Sequence, residues 1–309
     1  MKIRTIIFAF VILLLNTKAY TQLPSTAAGL VERLENYPSD YISPRHVDIW
    51  TPENYDTTQK YPVLYMHDGQ MLFDSTLTWN KQEWKVDEVL TQLIKDKKIQ
   101  PHIVVAIHNS KERHADYFPQ KAFEILPPHI IESYMPADSI KRLKSTFPNG
   151  PKADDYLSFI VKELKPYIDA TFSTKSDSTH TRIAGSSMGG LISMYAMFEY
   201  PEVFGAAACI STHWIGGMSD DSENPVPAAF QHYMTKNMPS PNGHKIYFDH
   251  GTEGLDAMYK VHQLNINDTM RDAGYEDNTT MLTKVFDGHD HNEHYWSKRL
   301  DQIFEFLLK

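Results

Sequence analysis

The sequence predicts an α/β protein whose central sheet is mostly parallel and covered by helices on both faces. Two observations carry this. From Tyr61 onward, short apolar runs rich in Val, Ile and aromatic residues alternate with segments of helical periodicity. Continuous apolar strands are those buried on both faces, and strand–helix alternation is the mark of parallel crossovers. A chain of 309 residues, 41% apolar and 22% charged, is also long enough for one large core.

The elements follow in order. "RHVDIW" (45–50) alternates and reads as an early strand, and "YPVLYMHDG" (61–69) as a buried strand running into a turn. "WKVDEVLTQLIKD" (84–96) has helical periodicity, and "HIVVAIHN" (102–109) is a continuous apolar strand. The stretch 110–151 is irregular, with prolines at 119, 127, 128, 136, 148 and 151, and reads as an insertion or lid. "ADDYLSFIVKELKPYIDATF" (153–172) is an amphipathic helix. Then come strand "HTRIAGS", helix "MGGLISMYAMFEYP", strand "FGAAACIST", strand "HKIYFDHG", helix "LDAMYKVHQLNINDTMRDAG", strand "TMLTKVFDG" and the closing helix "EHYWSKRLDQIFEFLL". No internal repeat or low-complexity segment interrupts them. In such a sheet, ligands sit beyond the carboxyl ends of the strands.

The N-terminus stands apart. Lys2 and Arg4 precede an apolar run at 6–15, and polar residues follow from Asn16. This is the charged and hydrophobic pair of regions of a signal peptide, too short to span a bilayer comfortably. The expectation is a leader at 1–21, cleaved after Ala19 or Thr21, then a single domain at 22–309. A membrane anchor or a buried first strand are the competing readings. Loss of Lys2, Arg4 and Lys18 turns 30 basic residues into 27 against 39 acidic ones, so the net charge moves from −9 to about −12. That balance excludes nucleic acid as a natural partner. The one cysteine, Cys209, permits no internal disulfide, and no lipobox cysteine follows the leader. The mature chain is expected to be periplasmic or secreted, without a stable membrane anchor.

The stretch "AGSSMGG" joins a strand to a helix and contains G-x-S-x-G as Gly185, Ser186, Ser187, Met188 and Gly189. A sharp turn of this kind presents a serine nucleophile, and the glycine frame selects Ser187 over Ser186. The alternative is a glycine-rich turn with an accidental serine. A serine nucleophile needs a base and an orienting acid, here sought after later strands. "HGTEGLD" offers Asp256, preferred, and Glu253 as its rival, while Asp249 lies on the strand itself. "FDGHDHNEHYW" offers His289, His291 and His294; His291, past the turn and before the last helix, is the base. The same cluster contains metal-ligand residue types but lacks H-E-x-x-H spacing, so no metal site is assigned. Backbone N–H groups of Met188 and of Gln70, in "YMHDGQMLFD", are the expected oxyanion donors. Trp79, Trp84, Trp214 and Trp296 are candidate walls, with Trp214 preferred because it follows a strand end.

The pieces "YPVLYMHDGQMLFD", "AGSSMGG", "IYFDHGTEGLD" and "FDGHDHNEHYW" resemble the esterase family of α/β-hydrolases. That family contains enterochelin, feruloyl and acetyl-xylan esterases, S-formylglutathione hydrolase and mycolyltransferases. The resemblance implies the α/β-hydrolase fold and a serine–acid–histidine triad at Ser187, Asp256 and His291, with no metal or organic cofactor. Many relatives carry the acid three residues after the glycine of "GT", where this chain has Gly254. The expected activity is hydrolysis of a carboxylic ester on a small molecule, polysaccharide or siderophore. The alternatives are acyl transfer on the same fold and a non-catalytic carbohydrate- or siderophore-binding module.

Overall fold

Eight strands form one sheet in the computed structural model, which describes residues 22–218, 220–221 and 223–309. The leader assigned to 1–21 lies outside the described residues. The strands are β1 (Leu30–Tyr37), β2 (Arg45–Thr51), β3 (Val63–His67), β4 (Ile103–Ile107), β5 (Thr181–Ser186), β6 (Ala206–Ile210), β7 (Lys245–Gly251) and β8 (Met281–Phe286). Their order is β1-β2-β4-β3-β5-β6-β7-β8. β2 runs antiparallel to both β1 and β4, and every other neighbouring pair is parallel.

The helices are α1 (Val86–Lys95), α2 (Arg113–Tyr117), α3 (Gln120–Glu124), α4 (Pro128–Tyr134), α5 (Ser139–Leu143), α6 (Ala153–Ser158), α7 (Lys165–Thr171), α8 (Met188–Glu199), α9 (Val226–Asn237), α10 (Lys260–Asp272), α11 (Glu293–Ser297) and α12 (Leu300–Leu307). Strand side chains alternate between two cores. Val63 and Tyr65 face the layer built from α6 to α10, while Leu64 and Met66 face α1 and α12. Both faces are thus dry, which is why the strands read as unbroken apolar runs.

β1 and α9 were not legible in the sequence. β1 pairs with β2 at the sheet edge, and its residues are only exposed or half-buried, so no clean apolar alternation marks it. α9 buries Val226, Ala229, Phe230, Tyr233 and Met234 between segments rich in turn residues. The stretch 110–151 forms α2 to α5. Tyr117, Phe118, Phe123 and Phe147 are buried in the larger core, and α2 packs on α6 and α3 on α9. The insertion is therefore anchored by its aromatic residues. The predicted 153–172 helix widens to π-type at Phe159–Leu164, ahead of Pro166, which has no N–H to donate.

β3 lies between β4 and β5. The chain leaves β3 toward one side of the sheet and β5 toward the other. The crevice between their carboxyl ends is the topological switch point.

Candidate active site

β5 ends at Ser186, α8 begins at Met188, and Ser187 between them has φ 58° and ψ −121°. A positive φ is costly for a residue with a side chain and persists only where surroundings enforce it. Here Ser187 N–H donates to Ile210 O at 2.9 Å, and Ser187 O accepts from Gly190 N at 3.0 Å and His213 N at 3.2 Å. A Cβ on Gly185 would lie 2.8 Å from the Gly189 backbone, whereas one on Gly189 would sit 3.5 Å from His67 Cβ, an ordinary contact. Of the two framing glycines, only Gly185 is sterically required. Ser186 is buried, while Ser187 is half-exposed.

Asp256 lies in a single 3-10 turn (Gly254–Met258) after β7, and His291 in the loop between β8 and α11. His291 Nδ1 is 2.6 Å from Asp256 Oδ1. The other carboxylate oxygen, Oδ2, accepts from Gly251 N and from the Ser211 hydroxyl, each at 2.6 Å. Burial works to raise the Asp256 pKa, but the hydrogen bonds from His291, Ser211 and Gly251 and the His291 charge bring it below the usual carboxylate value.

The structure does not bring Glu253 to His291. Glu253 is exposed, and its N–H donates to His289 O at 3.0 Å. Asp249 is wholly buried, accepting from Ser211 N at 3.0 Å and the Tyr247 hydroxyl at 2.9 Å. The His289 ring packs on Phe286 and Tyr295, and His294 packs on Tyr295. Among the described residues no group of three or more His, Cys, Asp or Glu side chains is placed to hold a metal ion.

Ser187 and His291 line one cavity of about 450 Å³ at the switch point, together with Gln70, Arg113 and Asn109. Gln70 sits in a short turn (Gly69–Met71) after β3. A Cβ on Gly69 would come within 2.5 Å of the Ala106 carbonyl, so only glycine lets this turn lie against β4. Asp68, before it, has φ 56° and is clamped by Arg113 at 2.7 and 2.8 Å and by Asn109 Nδ2 at 2.7 Å. Burial opposes ionisation of Asp68, but Arg113 and Asn109 hold its pKa below the ordinary value. Asn109 N–H in turn donates to Gln70 Oε1 at 3.1 Å, fixing that side chain. Met188 opens α8, so its N–H is among those with no acceptor inside the helix.

Trp214 does not line this cavity, a correction to the sequence expectation. It is buried, its indole N–H donates to Gln263 Oε1 at 2.9 Å, and its ring packs on Phe230 and Phe248. It borders a separate cavity of about 200 Å³ beside His262 and Gln231. The chain turns back after β6 and carries the indole under the helical layer. The tryptophans of the serine cavity are Trp79, Trp84 and Trp296. Trp79 is 83% exposed, while Trp84 and Trp296 pack with centroids 5.4 Å apart. The loop bearing Trp79 is tied to the segment after His291: Asn80 Nδ2 donates to Glu293 Oε2 at 2.7 Å, and His294 N–H to Gln82 Oε1 at 3.1 Å.

Sequence reasoning also missed Arg113, Asn109, Ser211 and Arg299. Ser211 directly follows β6 and Asn109 lies two residues past β4, so the rule that ligands gather at strand ends pointed to them. Arg113 and Arg299 lie on or beside helices, with no local signal.

A mostly parallel sheet in this order, with a serine held at positive φ between strand and helix at the switch point, defines an α/β-hydrolase. A family model described as "Putative esterase" matches residues 41–307, and the chain belongs to that family. It is 26% identical over 172 residues to the uncharacterized protein YbbA of Bacillus subtilis (strain 168), covering 55% of this chain and 58% of that protein. The chain thus spans little more than half the length of that relative. Among solved structures, a ferulic acid esterase superposes with a TM-score of 0.65 at 19% identity, covering 91% of this chain and 98% of its own. The enterobactin esterase of Shigella flexneri, crystallised in the presence of enterobactin, gives 0.62 at 18%, covering 91% and 59%. At such identities these two are likenesses of fold.

Proposed function

We propose that the chain is an exported serine hydrolase of carboxylic esters, a single domain from residue 22 released by cleavage of the leader at 1–21. The observation that carries the chemistry is the His291–Asp256 pair at 2.6 Å, opening on the same cavity as a serine held at φ 58°. His291 Nε2 takes the Ser187 proton as Oγ attacks the ester carbonyl, while Asp256 fixes the imidazole and stabilises its charged form. Met188 and Gln70 N–H groups receive the oxyanion, each such donor contributing ~3 kcal/mol to the transition state. The intermediate collapses, His291 protonates the departing alcohol, and the acyl group remains on Ser187. A water molecule, deprotonated by His291, then releases the acid.

Family membership and the fold likeness to ferulic acid and enterobactin esterases support an ester of a small molecule, free or carried on a polysaccharide or siderophore. The tryptophan-walled cavity suits a flat or ring-bearing group, since such rings stack on aromatic and sugar faces. The test is stoichiometric labelling of Ser187 by a fluorophosphonate, with parallel loss of p-nitrophenyl acetate hydrolysis that EDTA does not reproduce. Labelling elsewhere, or loss on chelation restored by zinc, would defeat the reading. Export is tested separately, by the N-terminal sequence of the mature protein and its cell fraction.

A further inference from the structure

We infer that Ser211 is a positioning residue that fixes both the ionised state of Asp256 and the tautomer of His291. The inference rests on the roles proposed above for that pair. Ser211 follows β6 with φ 42° and is fully buried. Its hydroxyl lies 2.6 Å from Asp256 Oδ2, 2.6 Å from Arg299 Nη2 and 3.0 Å from Trp296 Nε1. A hydroxyl has one hydrogen and two acceptor positions, whereas guanidinium and indole nitrogens only donate. Arg299 and Trp296 therefore occupy both acceptor positions, and the single Ser211 hydrogen points to Asp256 Oδ2.

That direction propagates. Oδ2 also accepts from Gly251 N–H, so it faces donors alone and has no room for a proton of its own. A proton could then sit only on Oδ1, and the buried Arg299 cation 3.6 Å from Oδ2 favours the carboxylate instead, so Oδ1 accepts from His291. His291 must then carry its hydrogen on Nδ1, which leaves the Nε2 lone pair free to act as base. Arg299 is wholly buried, 3.6 Å from Asp256 Oδ2 and 3.5 Å from Asp249 Oδ2. The one hydrogen bond of its guanidinium among the described residues goes to Ser211. The same hydroxyl thus anchors the cation that offsets the buried carboxylates.

The backbone argues that this hydroxyl is kept for more than filling space. A residue at φ 42° is better served by glycine, which adopts that region freely. Instead the position holds serine, with its N–H pinned on Asp249 Oδ1 at 3.0 Å.

Ser211→Gly removes the hydroxyl and suits the backbone, and Ser211→Ala removes it without that relief. Both are expected to lower kcat on p-nitrophenyl acetate about ten- to a hundredfold, the loss of one hydrogen bond to a buried charge, with KM within about twofold of the parent. ¹⁵N spectra of His291 are expected to show the Nδ1–H tautomer in the parent protein and a mixture in Ser211→Gly. Parental kcat in a folded Ser211→Gly, or a loss seen in KM alone, would overturn the inference. So would the Nε2–H tautomer in the parent protein, whether or not either variant folds. Ser187→Ala and Asp256→Asn run beside them. If those two stay active, the triad itself is wrong; if they are dead and Ser211→Gly is fully active, only the role of Ser211 falls.

Discussion

Asp256→Asn changes one oxygen to an NH₂ group with almost no change of shape, and the surroundings decide which way the amide turns. At the Oδ2 end stand Gly251 N–H and the Ser211 hydroxyl, both at 2.6 Å, with Arg299 Nη2 at 3.6 Å. An NH₂ placed there would meet donors head-on. The amide nitrogen therefore turns to the Oδ1 position, 2.6 Å from His291 Nδ1 in the parent. From there it can only donate, so Nδ1 must become the acceptor and the imidazole hydrogen moves to Nε2. The base then cannot take the Ser187 proton. A wrong-tautomer histidine costs on the order of 10⁴ in kcat in other triads, or ~5.5 kcal/mol of transition-state stabilisation. The assay is initial-rate hydrolysis of p-nitrophenyl acetate at one fixed, near-neutral pH. Asp256→Asn and Glu253→Gln are compared with the parent, and thermal midpoints establish that each is folded. Glu253→Gln, altering an exposed side chain, should match the parent. The reasoning fails if Asp256→Asn keeps more than about a tenth of parental kcat, or if Glu253→Gln is the inactive variant.

Three further outcomes are expected. Ser187→Ala should abolish ester hydrolysis while Ser186→Ala keeps a large share, because only Ser187 sits at the turn with φ 58°; equal residual rates would reject the choice of nucleophile. Gly185→Ala should lower stability by about 1–3 kcal/mol, the usual cost of forced overpacking, because its Cβ would meet backbone at 2.8 Å, while Gly189→Ala, with 3.5 Å of room, should melt close to the parent; denaturant titration separates them. Asp87 is buried and accepts from Ala27 N–H at 2.6 Å, and burial, then the neighbouring Glu88, push its pKa up to about 7. Since the folded value exceeds the unfolded one of about 4, its contribution is complete below about pH 4 and fades as pH rises through 7. Asp87→Asn keeps the acceptor and cannot ionise, so its melting advantage over the parent should grow from pH 4 to 8; parallel pH profiles would contradict this.

What the sequence disclosed, and what it hid, follows from the range of the interactions. Buried parallel strands such as β3 and β4 announce themselves because every residue must be apolar. The strand-to-helix turn at Ser187 was legible from its glycines, of which Gly185 is required by its approach to the Gly189 backbone, and the loop of His291 from its place after the last strand. β1 stayed hidden, since an edge strand that is half wet carries little pattern. The choice of Asp256 over Glu253 depended on a contact with a residue 35 positions away, which local spacing does not encode. Trp214 misled for a related reason: a strand end points to the crevice only if the chain does not fold back at once. The layer behind the carboxylate, from Ser211 to Arg299, spans 88 positions and exists only in three dimensions.

If His291 acts as proposed, the tie between the Trp79 loop and the segment after it would couple the fit of a substrate to the speed of the reaction. Asn80 and Gln82 hold Glu293 and His294, residues two and three places beyond the base. On the roles proposed above, an ester that displaced Trp79 would draw on that tether and shift His291 within the cavity it shares with Ser187. Discrimination against such an ester would then fall on kcat and not on KM.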